Sequence, residues 1–125
     1  MSLYEYERKG DAQSLIGKLR RSDNEKVRRR AAEMLGRLED HADRRDIISA
    51  LVQAAQEEEG QVAAAAIDGL DQQGQDALEQ LLIEVANVDL DADAADWVKA
   101  KAFVRALEAD VPELRMAAAN ALGEL

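Results

Sequence analysis

The stretch SDNEKVRRRAAEMLGRL, residues 22–38, returns 87 residues later without a gap as ADVPELRMAAANALGEL, residues 109–125. Each copy has the pattern of a capped helix, because Asp23 and Asp110 stand where a side-chain oxygen can accept from the first free amides. Pro112 fits the first turn of the second copy, where its missing N–H costs nothing. Apolar residues then recur at helical spacing, so each copy predicts a helix with one buried stripe. The stripes are Val27, Ala31, Leu35 and Leu38 in the first copy and Leu114, Ala118, Leu122 and Leu125 in the second.

A weaker third copy begins at Gly60, where Val62, Ala66 and Leu70 stand 35 residues after Val27, Ala31 and Leu35. A period of that length is typical of stacked helical hairpins. The predicted partner helices are residues 11–21, with Leu15, Ile16 and Leu19 inward, and residues 43–58, with Ile47, Ile48, Leu51 and Val52 inward. Glycines that fall near the predicted helix ends, where a positive φ is needed, are Gly10, Gly36, Gly60, Gly74 and Gly123.

The third copy and the last are 52 residues apart when Val62 is compared with Leu114, which is more than one repeat and less than two. We place two helices in that interval, at residues 75–87 and 94–108, so that the alternation of outer and inner helices slips by one. The segment before Gly10 is expected to add only a short turn. The sequence therefore predicts a single all-α domain, a short right-handed α-solenoid of about seven helices. Its hairpins are predicted at residues 11–39, 43–72, 75–108, which is irregular, and 96–125.

The composition supports this architecture and restricts the chemistry. Aromatic residues make up 3% of the chain and there is one proline, which favours helix over strand. With no cysteine and one histidine, the chain cannot build a Cys/His pair or a multi-histidine metal site, so we predict neither enzymatic activity nor a cofactor or metal. No apolar run is long enough to cross a bilayer and the first residues lack the apolar core of a signal peptide, which predicts a cytoplasmic protein.

Three local features resemble functional sites and are better explained otherwise. His41 lies between two predicted helices, and we interpret it as a solvated loop residue. The alternating aspartates of residues 89–93 open like a calcium-binding loop, but such a loop needs a glycine sixth and a glutamate twelfth, and this chain has alanine at both. Trp97 and Phe103 stand at near-helical spacing with neighbouring apolar residues, which predicts core packing and not ligand stacking.

Residues 110–125 and their first copy resemble the consensus of HEAT-like repeats of the phycobilin-lyase (PBS lyase) type. The resemblance is strong at residues 11–40 and 96–125, loose at 43–73 and absent at 75–93. It implies that the second helix of each hairpin lines a concave face. On this chain those inner helices would be residues 24–39, 60–71 and 112–124. The acidic, aspartate-rich and lysine-poor composition also resembles cytosolic proteins of salt-loving archaea.

Charge is divided unevenly along the chain. Residues 1–45 carry 12 Lys and Arg against 9 Asp and Glu, whereas residues 46–125 carry 4 against 17. The strongly acidic total disfavours general binding of nucleic acid, because most of the surface would repel phosphates. The basic residues concentrate on the helix predicted at residues 24–39, whose exposed side carries Arg30, Glu33 and Arg37. The resemblance places that side in the concave groove.

We therefore predict a non-catalytic scaffold that binds a protein or peptide on its concave face. The predicted contact residues are Arg29, Arg30, Glu33 and Arg37 at the basic end and Asp68 and Asp71 farther along. Arg28 and Arg115 occupy equivalent repeat positions, which favours a structural role in pairing with an acidic residue of a neighbouring hairpin.

Two alternatives remain open at the level of sequence. Nucleic acid could bind to the basic helix alone, between Arg28 and Arg37, and its affinity would fall steeply with salt. The chain could instead be an accessory subunit of a pigment-lyase-like or modification enzyme. We expect a monomer or weak self-association between the oppositely charged ends.

Overall fold

A computed structural model of the chain describes residues 3–39, 42–85, 100, 103–104, 106–108 and 112–124. Most of these residues lie in α-helices, and none of them lies in a strand. The helices with complete bounds are α1 (Leu3–Lys9), α2 (Ala12–Arg21), α3 (Glu25–Arg37), α4 (Arg44–Glu57), α5 (Gly60–Gln73), α6 (Gln75–Val85) and α7 (Pro112–Glu124). The predicted all-α architecture of about seven helices is confirmed. Its handedness stays a prediction.

The chain divides into two compact units, residues 1–73 and residues 74–125. In the first unit α2 packs on α3 and α4 packs on α5, so that each pair forms a helical hairpin. The most extensive contact in this unit joins α3 to α5, the second helices of the two hairpins. That contact positions the candidate site. The prediction of a single domain stays a prediction.

The core of the first unit is built from the apolar stripes that the sequence predicts. All the predicted inward residues of α2, α4 and α5 are buried: Leu15, Ile16, Leu19, Ile47, Ile48, Leu51, Val52, Val62, Ala66 and Leu70. On α3, Ala31 and Leu35 are buried as predicted, but Val27 is only half-buried and Leu38 lies beyond the helix as its C-cap residue. The buried face of α3 is also wider than the predicted stripe and takes in Ala32, because both α2 and α5 cover this helix.

The first turns of α2 and α3 are each capped by a short polar side chain. The prediction that Asp23 caps α3 is wrong, because Asn24 is the N-cap and its Oδ1 accepts from the amide of Lys26 at 2.9 Å. At the start of α2, Asp11 accepts from the amide of Ser14 at 3.1 Å and from its hydroxyl at 2.7 Å. The predicted cap Asp110 lies outside the described residues.

The N-terminal segment forms α1, a full helix of seven residues where the sequence predicts only a short turn. It contacts α2 and α3 and has no buried residue, so it carries no apolar stripe that a sequence pattern would reveal. Gly10 ends it with a φ of +67°, a conformation that favours glycine.

The second unit pairs α6 with α7. The predicted bounds of α7 are confirmed, and its buried residues include Leu114 and Ala118, whereas Leu122 is half-buried. Phe103 is fully buried, which confirms that it packs in the core. Other predictions lie outside the described residues: Trp97, Leu125, His41, the acidic segment 88–93 and most of the helix at 94–108.

Candidate protein-binding groove

A cleft of about 420 Å³ lies between α3 and α5 in the first unit. The α3 wall carries Arg29, Glu33 and Arg37, which follow one another at intervals of four residues and so share one face of the helix. Its remaining lining comes from α5: Gln61, Ala64, Ala65, Asp68, Gly69 and Gln72. Small residues between charged and amide side chains leave an open trough with polar edges.

Arg29 ties the two walls together at one end of the cleft. Its Nη1 donates to Oε1 of Gln61 at 2.6 Å. Its Nε lies 3.6 Å from Oε1 of Glu33, beyond hydrogen-bond distance, and that buried Nε has no hydrogen-bond partner among the described residues. The principal acceptor of this cation is therefore a neutral amide.

Arg37 is held by a carboxylate from a helix that the sequence analysis did not predict. Its Nε and Nη2 both donate to Oε2 of Glu7 on α1, at 3.0 Å and 2.8 Å. The side chain of Arg37 is 52% exposed and that of Glu7 is 23% exposed. No sequence signal identifies Glu7, because α1 lacks an apolar stripe and the pair is separated by 30 residues.

A second cleft, of about 410 Å³, adjoins the first and shares Arg37 and Gln72 with it. Its other lining residues are Gly36, Leu38, Glu39, Arg44 and Gln73. Because the two clefts meet at shared side chains, we treat them as one feature, the α3–α5 groove. It follows α5 from Gln61 to Gln73, a rise of roughly 18 Å along that helix.

Gln73 fixes the far end of this groove by capping α3. Its Nε2 donates to the carbonyl oxygens of Leu35 at 2.8 Å, Gly36 at 3.3 Å and Leu38 at 2.9 Å. The backbone carbonyl oxygen of Gln73 accepts a hydrogen bond from Nη2 of Arg44 at 3.0 Å. The carbonyls at the end of α3 are thereby satisfied by a side chain of the next hairpin.

The structure places four of the six predicted contact residues on the groove lining: Arg29, Glu33, Arg37 and Asp68. Arg30 and Asp71 are exposed but lie outside both lining sets. Arg30 follows Arg29 by about 100° around the helix, which turns it off this face. On α5, Gln72 takes a lining position and Asp71 does not. Three further lining residues could not be predicted from the sequence, because an uncharged amide on the polar face of a helix has no spacing or charge pattern that marks it. They are Gln61, Gln72 and Gln73.

Arg28 has the structural role that the repeat comparison predicts. Its Nε forms an ion pair with Oε1 of Glu58 at 3.3 Å, and its Nη1 donates to the carbonyl of Ser22 at 2.7 Å. Glu58 belongs to the connection between α4 and α5, so the pair joins neighbouring hairpins. A corresponding role for Arg115 stays a prediction.

The described residues contain neither a cluster of metal ligands nor a membrane-spanning helix. No three His, Cys, Asp or Glu side chains among them come close enough together to ligate a metal ion. None of the helices in the described ranges combines the length and the apolar character that crossing a membrane would require.

Comparison with known proteins gives two findings. The family described as HEAT repeats matches residues 12–102. A HEAT repeat-containing taxis protein of Halobacterium salinarum, a haloarchaeon, is 46% identical over 124 residues, which is 99% of this chain and 29% of that protein. This chain therefore spans less than a third of that relative's length. No solved structure matches the chain significantly.

Proposed function

This chain belongs to the HEAT repeat family, and we propose that it is a non-catalytic scaffold. It binds a segment of another protein in the α3–α5 groove. Stacked helical repeats present elongated surfaces, for which binding is the usual role. The fold alone does not specify a function, so the support for this proposal comes from the residues of the groove.

The observation that carries this proposal is the groove between Arg29 and Gln73. Its small residues let a ligand backbone approach the helices closely, and its guanidinium, carboxylate and amide groups supply donors and acceptors on both edges. A length of roughly 18 Å suits five or six residues of extended chain or about three turns of helix.

The relative from Halobacterium salinarum suggests the process in which such a scaffold works. Identity of 46% extends over 99% of this chain, and that relative is named as a taxis protein. We therefore propose that this segment supplies a binding surface within a taxis apparatus of the cytoplasm. The absence of cysteine fits a reducing compartment.

The ion pairs of α3 favour a protein partner over nucleic acid. Arg28 pairs with Glu58, Arg29 lies beside Glu33, and Arg37 binds Glu7. A phosphate backbone carries a negative charge at every nucleotide, so all three of these carboxylates would repel it at once. A protein segment with both charged and neutral groups matches the mixed lining better.

Affinity capture from native cells tests the proposed function. The tagged full chain is used as bait at native salt, and the captured proteins are identified by mass spectrometry. The test bait carries Arg29→Glu and Arg37→Glu, and the matched control carries Arg21→Glu and Arg45→Glu, two exposed positions outside the lining. We expect a specific protein that the wild type and the control retain and the groove variant loses.

Circular dichroism checks that each bait is folded. Ala64→Tyr serves as a second groove variant, because it fills the trough without changing charge. Capture of the same proteins by all four baits would contradict the proposal.

A further inference from the structure

Arg37 lies where the two clefts of the groove meet, and its guanidinium forms an ion pair with the carboxylate of Glu7. We propose that the partner segment is acidic and binds by replacing the Glu7 carboxylate on Arg37. This inference rests on the proposed scaffold function and adds the chemistry of the partner to it. In the absence of the partner, Glu7 of α1 binds Arg37 in its place.

The attachment of α1 is weak enough for such an exchange. The helix has seven residues, too few to be stable alone, and none of them is buried. Its ion pair with Arg37 is partly exposed, and exposed pairs of this kind contribute little to stability. A carboxylate that brings further contacts with the groove can therefore compete with Glu7.

Arg29 provides a second position for a carboxylate. It precedes Arg37 by eight residues of α3, a rise of about 12 Å. It forms a loose ion pair with Glu33 at 3.6 Å, and its hydrogen bond goes to the neutral amide of Gln61. Its Nε lacks a hydrogen-bond partner among the described residues. A carboxylate is a stronger acceptor for a guanidinium than an amide oxygen.

The spacing defines the partner more closely. Two carboxylates about 12 Å apart correspond to positions four residues apart in an extended segment. Glu33 lies between the two arginines and Asp68 lies on the opposite wall, so a carboxylate in the middle of the segment would be repelled. The expected partner therefore carries acidic residues at both ends of a five-residue segment, with neutral or basic residues between them.

An NMR titration of the full chain tests this exchange. The probe is a capped synthetic peptide Glu-Ala-Ala-Ala-Glu, and the control probe is Gln-Ala-Ala-Ala-Gln. We expect the acidic probe alone to shift the Arg29 and Arg37 Nε–Hε resonances and to raise hydrogen exchange at the amides of α1. Glu7→Gln should tighten binding of the acidic probe up to about fivefold, the size of one exposed ion pair, and Arg37→Gln should weaken it by about the same factor.

Glu59→Gln controls for the change in net charge, because Glu59 is exposed and outside the groove lining. Equal shifts with both probes, equal effects of Glu7→Gln and Glu59→Gln, or binding without increased exchange in α1 would overturn the inference. If these results appear while the groove variant still loses its captured protein, the scaffold function stands and only the acidic partner is wrong. If capture does not depend on the groove, the scaffold function itself is wrong.

Discussion

Gly36 of α3 and Gly69 of α5 meet backbone to backbone: a Cβ atom placed on Gly36 would lie 2.5 Å from the Cα of Gly69 and 3.1 Å from its carbonyl oxygen. The prediction that Gly36 serves a helix end through a positive φ is wrong. Gly36 lies inside α3 and is not among the glycines with positive φ. Its function is to let α3 and α5 approach, which brings the groove walls together.

Replacing Gly36 by alanine should destabilise the protein. The added methyl group meets backbone that cannot move aside, so we expect Gly36→Ala to lower the free energy of unfolding by about 2 kcal/mol. Gly17→Ala is the matched control, because Gly17 lies in α2 with nothing within 4 Å of the added atom. That variant should gain about 0.5–1 kcal/mol from helix propensity. Urea denaturation followed by circular dichroism measures both, and equal stability of the two variants would contradict the close contact.

Loss of the Gln73 side chain should expose the carbonyl end of α3. We expect Gln73→Ala to cost about 1–2 kcal/mol, because three carbonyl oxygens each lose a hydrogen bond and only that of Leu35 keeps a second donor among the described residues, the amide of Leu38 at 3.4 Å. Gln72→Ala provides the comparison, since Gln72 is the adjacent exposed residue, and it should change stability by less than about 0.5 kcal/mol. Thermal and chemical denaturation distinguish the two. The capping role is refuted by a pair of variants with the same stability.

The Arg28 side chain should stabilise the contact between hairpins. Arg28→Ala removes the ion pair to Glu58 and a charged hydrogen bond to the carbonyl of Ser22, which we expect to cost about 1–2 kcal/mol. Arg30→Ala changes the same charge two residues away at an exposed position and should stay within about 0.5 kcal/mol. A result in which Arg30→Ala is the more damaging change would show that Arg28 has no such role.

The cap of α2 should make stability depend on pH through Asp11. Hydrogen bonds from Ser14 stabilise the charged carboxylate of Asp11 and so lower its pKa; the bond from the hydroxyl has the larger effect and that from the backbone amide the smaller. A lowered pKa in the folded state means that this stabilisation is fully present above the unfolded pKa of about 3.9 and is lost as pH falls through the folded value. The difference in stability between wild type and Asp11→Asn should therefore be constant near neutral pH and shrink below about pH 4. Denaturation at a series of pH values measures it, and the same difference at low and neutral pH would contradict this assignment.

The part of the fold that sequence predicts is the part that apolar periodicity controls. The buried residues of α2, α4 and α5 follow from a stripe of apolar side chains at helical spacing. The bounds of α7 follow instead from the resemblance to HEAT-like repeats, with Pro112 in the first turn. The width of the buried face of α3 does not follow, because it depends on a second neighbour, α5. The Gly36–Gly69 contact is likewise invisible in either helix alone, since it exists only where the two cross.

The candidate site divides along similar lines. Charge at four-residue intervals predicts that Glu33 and Arg37 share a face, and the structure brings both to the groove. Whether Arg30 or Arg29 joins them depends on how α3 is rotated against α5, which the stripe fixes only coarsely. Glu7 could not be predicted, because its contact with Arg37 depends on the docking of a helix without buried residues.

Photocrosslinking in native cells examines whether the α3–α5 groove holds a protein partner. The photoreactive residue p-benzoylphenylalanine replaces Gln72, which lines both clefts, and in a second strain it replaces the exposed Arg45, which lines neither. We expect one discrete protein adduct from position 72, and no adduct of that protein from position 45. Identical adducts from the two positions, or an adduct from position 45 alone, would contradict it.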